Sequence, residues 1–262
     1  IESLIGDFAI GIYDSYENEI VLIRDRYGIK PLYYYYDQNI FAFSSELKSL
    51  SNLKQVNKKR NDDACYAFLK HGSVPEPFTF FENISVVPNG TYLKYKNKKI
   101  TINKYYNLNF KPNNFSYQEN IYRVRTLIDD SVNLRMVSDL PVGAFLSGGI
   151  DSSVVVAMMR KNSNGNINTF SIDFENDNYS EGNIAKIVAE RYHTNHQNFV
   201  LQPSDLRKEL YNILDSIDSP TIDGVNTYFI SKFTSEAGIS VAMSGLGGDE
   251  IFGGYDTFEN HG

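Results

Sequence analysis

Up to about residue 106 the apolar positions fall in short, strand-like runs. They are Asp7 to Tyr13, Ile20 to Asp25, Pro31 to Tyr36, Ile40 to Ser44 and Gly90 to Lys96, separated by turn residues, a spacing that predicts a β-rich half. One helix is predicted over Asp62–Lys70 with Asn61 or Asp62 as its cap, and Pro75 and Pro77 break the chain beyond it. The stretch 107–115, with Pro112 and the Asn113-Asn114 pair, has no periodicity and reads as a linker.

From residue 116 onward the texture changes to long helices alternating with short apolar strands. Ser116 followed by Glu119 is a capping box. Ile121, Val124, Ile128 and Val132 then recur at helical spacing and predict one stripe facing a core. Strands are predicted at Val142–Leu146, Asn168–Phe174, Gln197–Leu201 and Ile239–Met243, and helices at Ser152–Lys161, Glu181–Tyr192, Ser204–Ile217 and Asn226–Ala237. Alternation of this kind predicts an α/β, doubly wound parallel sheet. The expected division is therefore 1–106, a linker at 107–115, and 116–262.

Composition narrows the function classes. With 42% hydrophobic and 22% charged residues the 262-residue chain can bury one large or two ordinary cores. A net charge of −7 argues against a protein that coats nucleic acid or anionic membrane. No apolar run reaches the length of a membrane span and no charged-then-apolar leader opens the chain, so it is expected to be soluble and cytoplasmic. The lone Cys65 excludes a disulfide framework and a cysteine-based zinc cluster. It is read as an apolar filler on the 62–70 helix. The chain opens at Ile1 without an initiator Met and stops at Gly262 just after a motif; it is expected to be a segment of a longer protein.

In a parallel sheet of this kind ligands bind beyond the carboxyl ends of the strands. Two unusual loops lie there. The first is Ser147-Gly148-Gly149-Ile150-Asp151-Ser152-Ser153. Its glycines allow close backbone approach, and its N–H groups and the helix end behind it suit phosphate oxygens. Asp151 cannot bind phosphate directly and is expected to hold Mg²⁺. The loop has neither a Gly-Lys-Ser/Thr ending nor GxGxxG, which argues against Walker and dinucleotide chemistry. The second loop, Ser244-Gly245-Leu246-Gly247-Gly248-Asp249-Glu250, repeats the same logic. Each loop alone could be a tight turn; the two together point to a triphosphate between them.

These loops carry a family resemblance. Ser147 to Ser153 resembles the pyrophosphate loop of the N-type ATP pyrophosphatases. With Leu140 to Leu146 before it and Ser244 to Tyr255 after, the chain is similar to glutamine-dependent asparagine synthetases. Gly6 to Asp14, Arg24 to Tyr33, Phe43 to Lys48 and Val87 to Gly90 resemble the later part of the class II amidotransferase domain of that family. The resemblance implies an α+β, N-terminal-nucleophile-type amidotransferase part followed by the first part of a doubly wound ATP pyrophosphatase domain. It further implies ATP and Mg²⁺ as cofactors, and small-molecule substrates: aspartate or a related carboxylate, and glutamine or ammonia. It allows a homodimer and implies neither nucleic acid nor membrane as a partner. By the same resemblance Ser147, Gly148, Gly149, Asp151 and Ser152 would hold pyrophosphate, with Asp151 and Asp249 on the metal. Leu146 and Ile172 would line the adenosine pocket, and Ser244 and Gly245 would meet AMP.

The sequence departs from the family in places. The family's nucleophilic cysteine, at the mature N-terminus, and its glutamine-binding residues would lie upstream of Ile1 or be absent, a functional lysine would fall after Gly262, Leu246 occupies a point where many members are acidic, and Gly224-Val-Asn-Thr227 replaces a Pro-Ser stretch. Two other readings therefore stay open: a ligase or cyclase on the same scaffold that uses no glutamine, and a non-catalytic nucleotide-binding module. Outside the loops, His193 and His196 are expected to face solvent, Tyr33–Tyr36 to straddle core and surface, and Lys54–Arg60 to be a solvated loop. Arg24, Asp25 and Lys30 are left outside the site.

Overall fold

The computed structural model describes residues 1–174 and 181–255. The chain divides into two compact units: Ile1–Pro112 with Asp215–Ile222, and Asn113–Leu214 with Asp223–Gly262.

The first unit contains β1 (Ala9–Asp14), β2 (Glu19–Arg24), β3 (Tyr33–Tyr36), β4 (Phe41–Ser44), α1 (Leu47–Ser51), α2 (Asp62–His71), β5 (Ile84–Val86), β6 (Thr91–Lys96) and β7 (Lys99–Lys104). These form two antiparallel sheets, β1-β2-β6-β7 and β4-β3-β5. Side chains alternate across a strand, and the tyrosine run shows it. Tyr33 and Tyr35 are buried with Leu47 and Leu50 of α1, whereas Tyr34 packs with Leu22 and Leu93 of the other sheet. The run therefore joins two cores; Tyr34 and Tyr36 are half-buried rather than at the surface.

Arg24 and Asp25 are buried and structural. The guanidinium donates to the carbonyls of Gly28, Lys30 and Val87 and pairs with Glu76 at 2.8 Å, while the Asp25 carboxylate accepts from the N–H groups of Tyr27, Ile29 and Lys30. Helix α2 begins at Asn61, whose side chain accepts from Ala64 N. Cys65 on α2 is half-buried, less covered than a core filler.

Three elements of this unit escape the sequence reading: α1, β5 and β7. β5 is three residues long, and β7 is an edge strand with lysine at both ends, the usual protection of an exposed edge.

The second unit contains α3 (Tyr117–Arg135), β8 (Val142–Phe145), α4 (Ile150–Asn162), β9 (Asn168–Phe174), α5 (Glu181–Arg191), β10 (Asn195–Leu201), α6 (Pro203–Ser216), α7 (Gly224–Glu236), β11 (Val241–Met243) and α8 (Gly248–Phe252). Every strand pair is parallel and the order is β10-β9-β8-β11. The chain thus winds outward from β8 through β9 to β10, then crosses back to place β11 on the other side of β8. The strand order reverses between β8 and β11, which is where ligands bind in doubly wound sheets.

One face of this sheet carries the core of Ala144, Leu146, Val156, Met159, Ala185 and Ala189. On the other, Phe199 of β10 stacks on Phe233 of α7 at 4.3 Å between centroids. The Ser116–Glu119 capping box is formed in full. The stripe behind it is only partly used: Val132 is buried and Ile128 packs beside it, but Ile121 and Val124 are exposed.

His196 is half-buried rather than fully exposed, at the edge of an open cavity that Thr194 and Asn198 also line. In β10 it sits opposite Thr169, within a row of polar side chains on the β9–β10 pair. Thr194 Oγ1 lies 2.8 Å from Thr169 Oγ1, which lies 3.0 Å from His196 Nδ1; His196 Nε2 lies 3.2 Å from Ser171 Oγ. Ser171 donates to Asn198 Oδ1, and Asn198 Nδ2 donates to Asp173 Oδ2. A carboxylate only accepts, so Asn198 must turn its amide N–H toward Asp173 and its oxygen toward Ser171. Ser171 then spends its proton on Asn198 and takes one from His196 Nε2. Burial holds the imidazole pKa below its ordinary value, in keeping with this neutral form.

Helices α6 and α7 are joined by Glu209, which accepts from Tyr228 at 2.6 Å, Lys232 at 2.7 Å and Asn212 at 2.9 Å. The bonds from Asn212, Lys232 and Tyr228 draw its pKa down to about 2 from 4.5. A depressed carboxylate adds stability that is complete above the unfolded-state pKa and is lost as pH falls toward the folded one. Glu209→Ala should therefore lower the denaturation midpoint at pH 6, and its deficit against wild type should close between pH 4.5 and about 2. A deficit unchanged at pH 2 would show that the three bonds do not stabilise the ionised form.

Candidate functional site

The switch point is built by the turns at the carboxyl ends of β8 and β11. Strand β8 leaves the sheet at Leu146, whose N–H donates to Phe170 O on β9 at 2.8 Å. The next residues form a tight turn. Gly148 has φ +85°, and a side chain there would collide with Ile184 and Ala185 of α5. Gly149 is the N-cap of α4, so Ile150, Asp151 and Ser152 form the first turn of the helix, where backbone N–H groups have no acceptor one turn back. Asp151 therefore lies inside the helix, ahead of the start near Ser152 that the sequence suggests.

The hydroxyls of this turn organise it from within. Ser147 Oγ accepts from Gly149 N at 3.3 Å and lies 3.1 Å from Ser152 Oγ, while Ser152 and Ser153 both donate to Gly149 O. Ser152 is buried, and Ser147 and Gly149 are exposed. The loop thus offers backbone donors and the positive end of a thirteen-residue helix, an arrangement suited to an anion.

The second loop meets the first directly. A side chain on Gly245 would fall 2.7 Å from Ser152 N, and one on Gly248 would overlap the Asp151 carboxylate. Gly245 is required by its close approach to backbone, and Gly248 by the position the Asp151 carboxylate takes. Asp249 lies in the first turn of α8. Burial, then the charges of Asp249 and Glu250, raise the Asp151 carboxyl above its ordinary pKa. Like charges have been gathered at the mouth of a phosphate-suited turn, a disposition that a divalent cation would relieve. Among the described residues no group of three or more His, Cys, Asp or Glu could hold a metal ion by itself.

The structure brings together Ser147, Gly148, Gly149, Asp151, Ser152, Gly245 and Asp249, with Ser244 immediately before. It separates Leu146 from Ile172. Phe145 pairs with Phe170 in the β8–β9 register, so Ile172 shares the Phe170 face and Leu146 the opposite one. Leu146 is buried in the core beside Val156 and Ala185. Leu246 is 84% exposed.

Sequence reasoning passed over the supports behind the turn, namely Asp173, Gly182 and the polar row of β9 and β10. Their signal was the alternation of Thr169, Ser171 and Asp173 with Phe170, Ile172 and Phe174, a two-residue period with one polar face.

Two family models match the chain, one in each part. The asparagine synthase family model matches residues 123–262, and the glutamine amidotransferase domain model matches 1–106. A Methanocaldococcus jannaschii protein that carries the name of a glutamine-hydrolysing asparagine synthetase is 38% identical over 97% of this chain and 50% of its own length. A Bacillus subtilis asparagine synthetase of the glutamine-hydrolysing type is 36% identical over 97% of this chain and 40% of its own. The chain thus spans about half, or less, of the length of these relatives. Among solved structures, the ammonia-dependent NAD synthetase of Campylobacter jejuni is 14% identical, covers 51% of this chain and 60% of its own, and aligns with a TM-score of 0.37. Among the described residues no helix is long and apolar enough to cross a membrane.

Proposed function

Because the chain belongs to the asparagine synthase family, we propose that it is part of a cytoplasmic enzyme that forms the side-chain amide of asparagine from aspartate, ATP and glutamine-derived ammonia. In this reading residues 1–106 belong to the amidotransferase part, 107–115 form the linker, and 116–262 open the synthetase part. The observation that carries it is the direct apposition of the two Gly-rich turns, with Asp151 between Gly245 and Gly248.

The turn Ser147-Gly148-Gly149 and the first turn of α4 would bind the β- and γ-phosphates through backbone N–H groups. Asp151 and Asp249 would hold Mg²⁺, which supplies charge neutralisation on the phosphates. Ser244 and Gly245 would contact the AMP moiety. Ile172 would flank the adenosine, with Leu146 contributing through its backbone because its side chain is in the core.

An oxygen of the aspartate side-chain carboxylate attacks the α-phosphorus, the bond to the β-phosphate oxygen breaks, and pyrophosphate leaves. Ammonia then attacks the acyl carbon of β-aspartyl-AMP, AMP departs with the bonding pair, and the surplus proton goes to solvent or pyrophosphate. Leucine at 246 can take no part in that proton transfer. In this reading the backbone donors of the apposed turns would meet the negative charge that develops on the leaving pyrophosphate, where fixed donors contribute most.

The test uses the full-length enzyme. AMP and pyrophosphate should form from ATP with aspartate and ammonium. Turnover with another carboxylic acid but none with aspartate would overturn the asparagine assignment while leaving amide ligation standing.

A further inference from the structure

Asp173 stands at the carboxyl end of β9, one residue past Ile172. One of its oxygens accepts from Gly182 N at 3.0 Å and the other from Asn198 Nδ2 at 2.8 Å. Gly182 is in the first turn of α5, whose backbone N–H groups lack partners within the helix, and a negative charge suits that end. The contact leaves no room for a side chain on Gly182, which would overlap the Asp173 carboxylate and fall 2.8 Å from Asn198 Nδ2. Less than one turn further on, Ile184 and Ala185 form the wall against which Gly148 makes its left-handed turn, with 2.9 Å between Ala185 N and the place a Gly148 side chain would take. Asp173 thus fixes the start of α5, and α5 fixes the turn after β8.

The geometry points to Asp173 as a positioning residue for ATP: through Gly182 and the first turn of α5 it holds Gly148, and with it the phosphate-binding turn, in shape. The inference rests on the reading of Ser147–Gly149 as a phosphate turn. Asp173 touches neither nucleotide nor metal in this role. Its charge is committed to an amide and a helix end, and what it transmits is the position of Ile184 and Ala185. Of the groups on β10, Asn198 is the one that orients it.

A swap of the pair separates positioning from direct contact. In Asp173→Asn, with Asn198 and the row behind it kept as they are, the new amide sets an N–H against the N–H of either Gly182 or Asn198, and it is relieved only if Asn198, Ser171 and His196 all reverse together. In the double variant Asp173→Asn with Asn198→Asp, residue 173 still accepts from Gly182 and now donates to residue 198, which still accepts from Ser171. In the full-length enzyme, Asp173→Asn and Gly182→Ala should each raise the KM for Mg-ATP about tenfold, the scale of lost outer support at a bound ion. kcat and the KM for aspartate should stay near wild type, and the double variant should recover the wild-type KM.

An unchanged KM for Mg-ATP in Asp173→Asn would overturn the proposal. So would failure of the double variant to recover, which would mean that the charge at 173 itself meets the ligand. A fall in kcat that tracks a lowered thermal midpoint, with KM unmoved, would reduce Asp173 to a fold residue and overturn it as well. Equilibrium titration of wild type with Mg-ATP separates the two levels: no binding refutes the phosphate-turn reading itself, whereas binding that the variants retain refutes the positioning role alone.

Discussion

Asp151→Asn should make the ligand-free protein more heat-stable and at the same time weaken Mg-ATP binding about a hundredfold, or ~2.7 kcal/mol. Both effects have one origin. The Asp151 carboxyl is partly desolvated beside Asp249 and Glu250, and its pKa is raised. Ionisation of such a group therefore opposes folding once the pH exceeds its ordinary value. An amide of the same size removes that opposition and still fits against Gly248. It cannot offer a cation an anionic oxygen, so on the proposed reading a divalent ion held with the nucleotide would lose one of its two carboxylates. Thermal unfolding without ligand and calorimetric titration with Mg-ATP would read the two effects independently. A variant that loses stability and keeps its affinity would contradict the assignment of Asp151 to the metal. Functional sites commonly hold groups arranged at some cost to stability.

The largest effect on folding is expected from Phe170→Ala, which should cost about 3–5 kcal/mol. Phe170 is fully buried in β9, next to the central strand β8. Its ring faces Phe199, with 6.5 Å between centroids, and Phe199 in turn stacks on Phe233 of α7. On its other side the ring edge lies 3.1 Å from where a side chain on Gly143 would begin. Removing it opens a cavity bounded by the Gly143 backbone and the Phe199 ring, neither of which can fold into the gap, with only the Ile239 side chain nearby to fill part of it. Denaturant titration would measure the loss. A cost below ~1 kcal/mol would mean that the sheet collapses around the gap, contrary to a close-packed β8–β9 pair. Phe170 O also receives the Leu146 N–H, so the same change should disturb the start of the phosphate turn.

Most of the second unit was legible because its information is local. The Ser116–Glu119 box sets the start of α3, and the parallel strands fall close to the predicted runs, although β11 is shorter. The two Gly-rich loops were legible as a pair at the strand ends, and the structure brings them together, with Gly245 and Gly248 against Asp151 and Ser152. Where the deciding partner is distant, the sequence was silent. Helix α1 has no side-chain cap of its own at Glu46. Its first N–H groups, those of Leu47 and Lys48, donate to the carboxylate of Asp218 at 2.6 and 2.8 Å, a partner 170 residues away. No window of sequence contains that bond. His196 was misplaced for a similar reason: its surroundings come from β9, and a polar side chain viewed alone is assigned to solvent. The half-bare stripe of α3 shows the converse. Helical periodicity marks a face that can be buried, and within the described residues only its lower half has a partner.

The polar row on β9 and β10 constrains which substitutions this sheet can accept. Every member passes its proton one way, from Thr194 through Thr169 to His196, and from His196 through Ser171 and Asn198 to Asp173. Replacing one member by an apolar residue strands a donor or acceptor on its neighbour, whereas exchanging both members of a pair together costs little. Thr169 faces His196 and Ser171 faces Asn198 in register. Substitution along these strands should accordingly proceed by twos across the ladder, with Thr169 changing alongside His196 and Ser171 alongside Asn198. In descendants of this sequence apolar replacement of one member with its cross-strand partner kept should be scarce beside paired replacement.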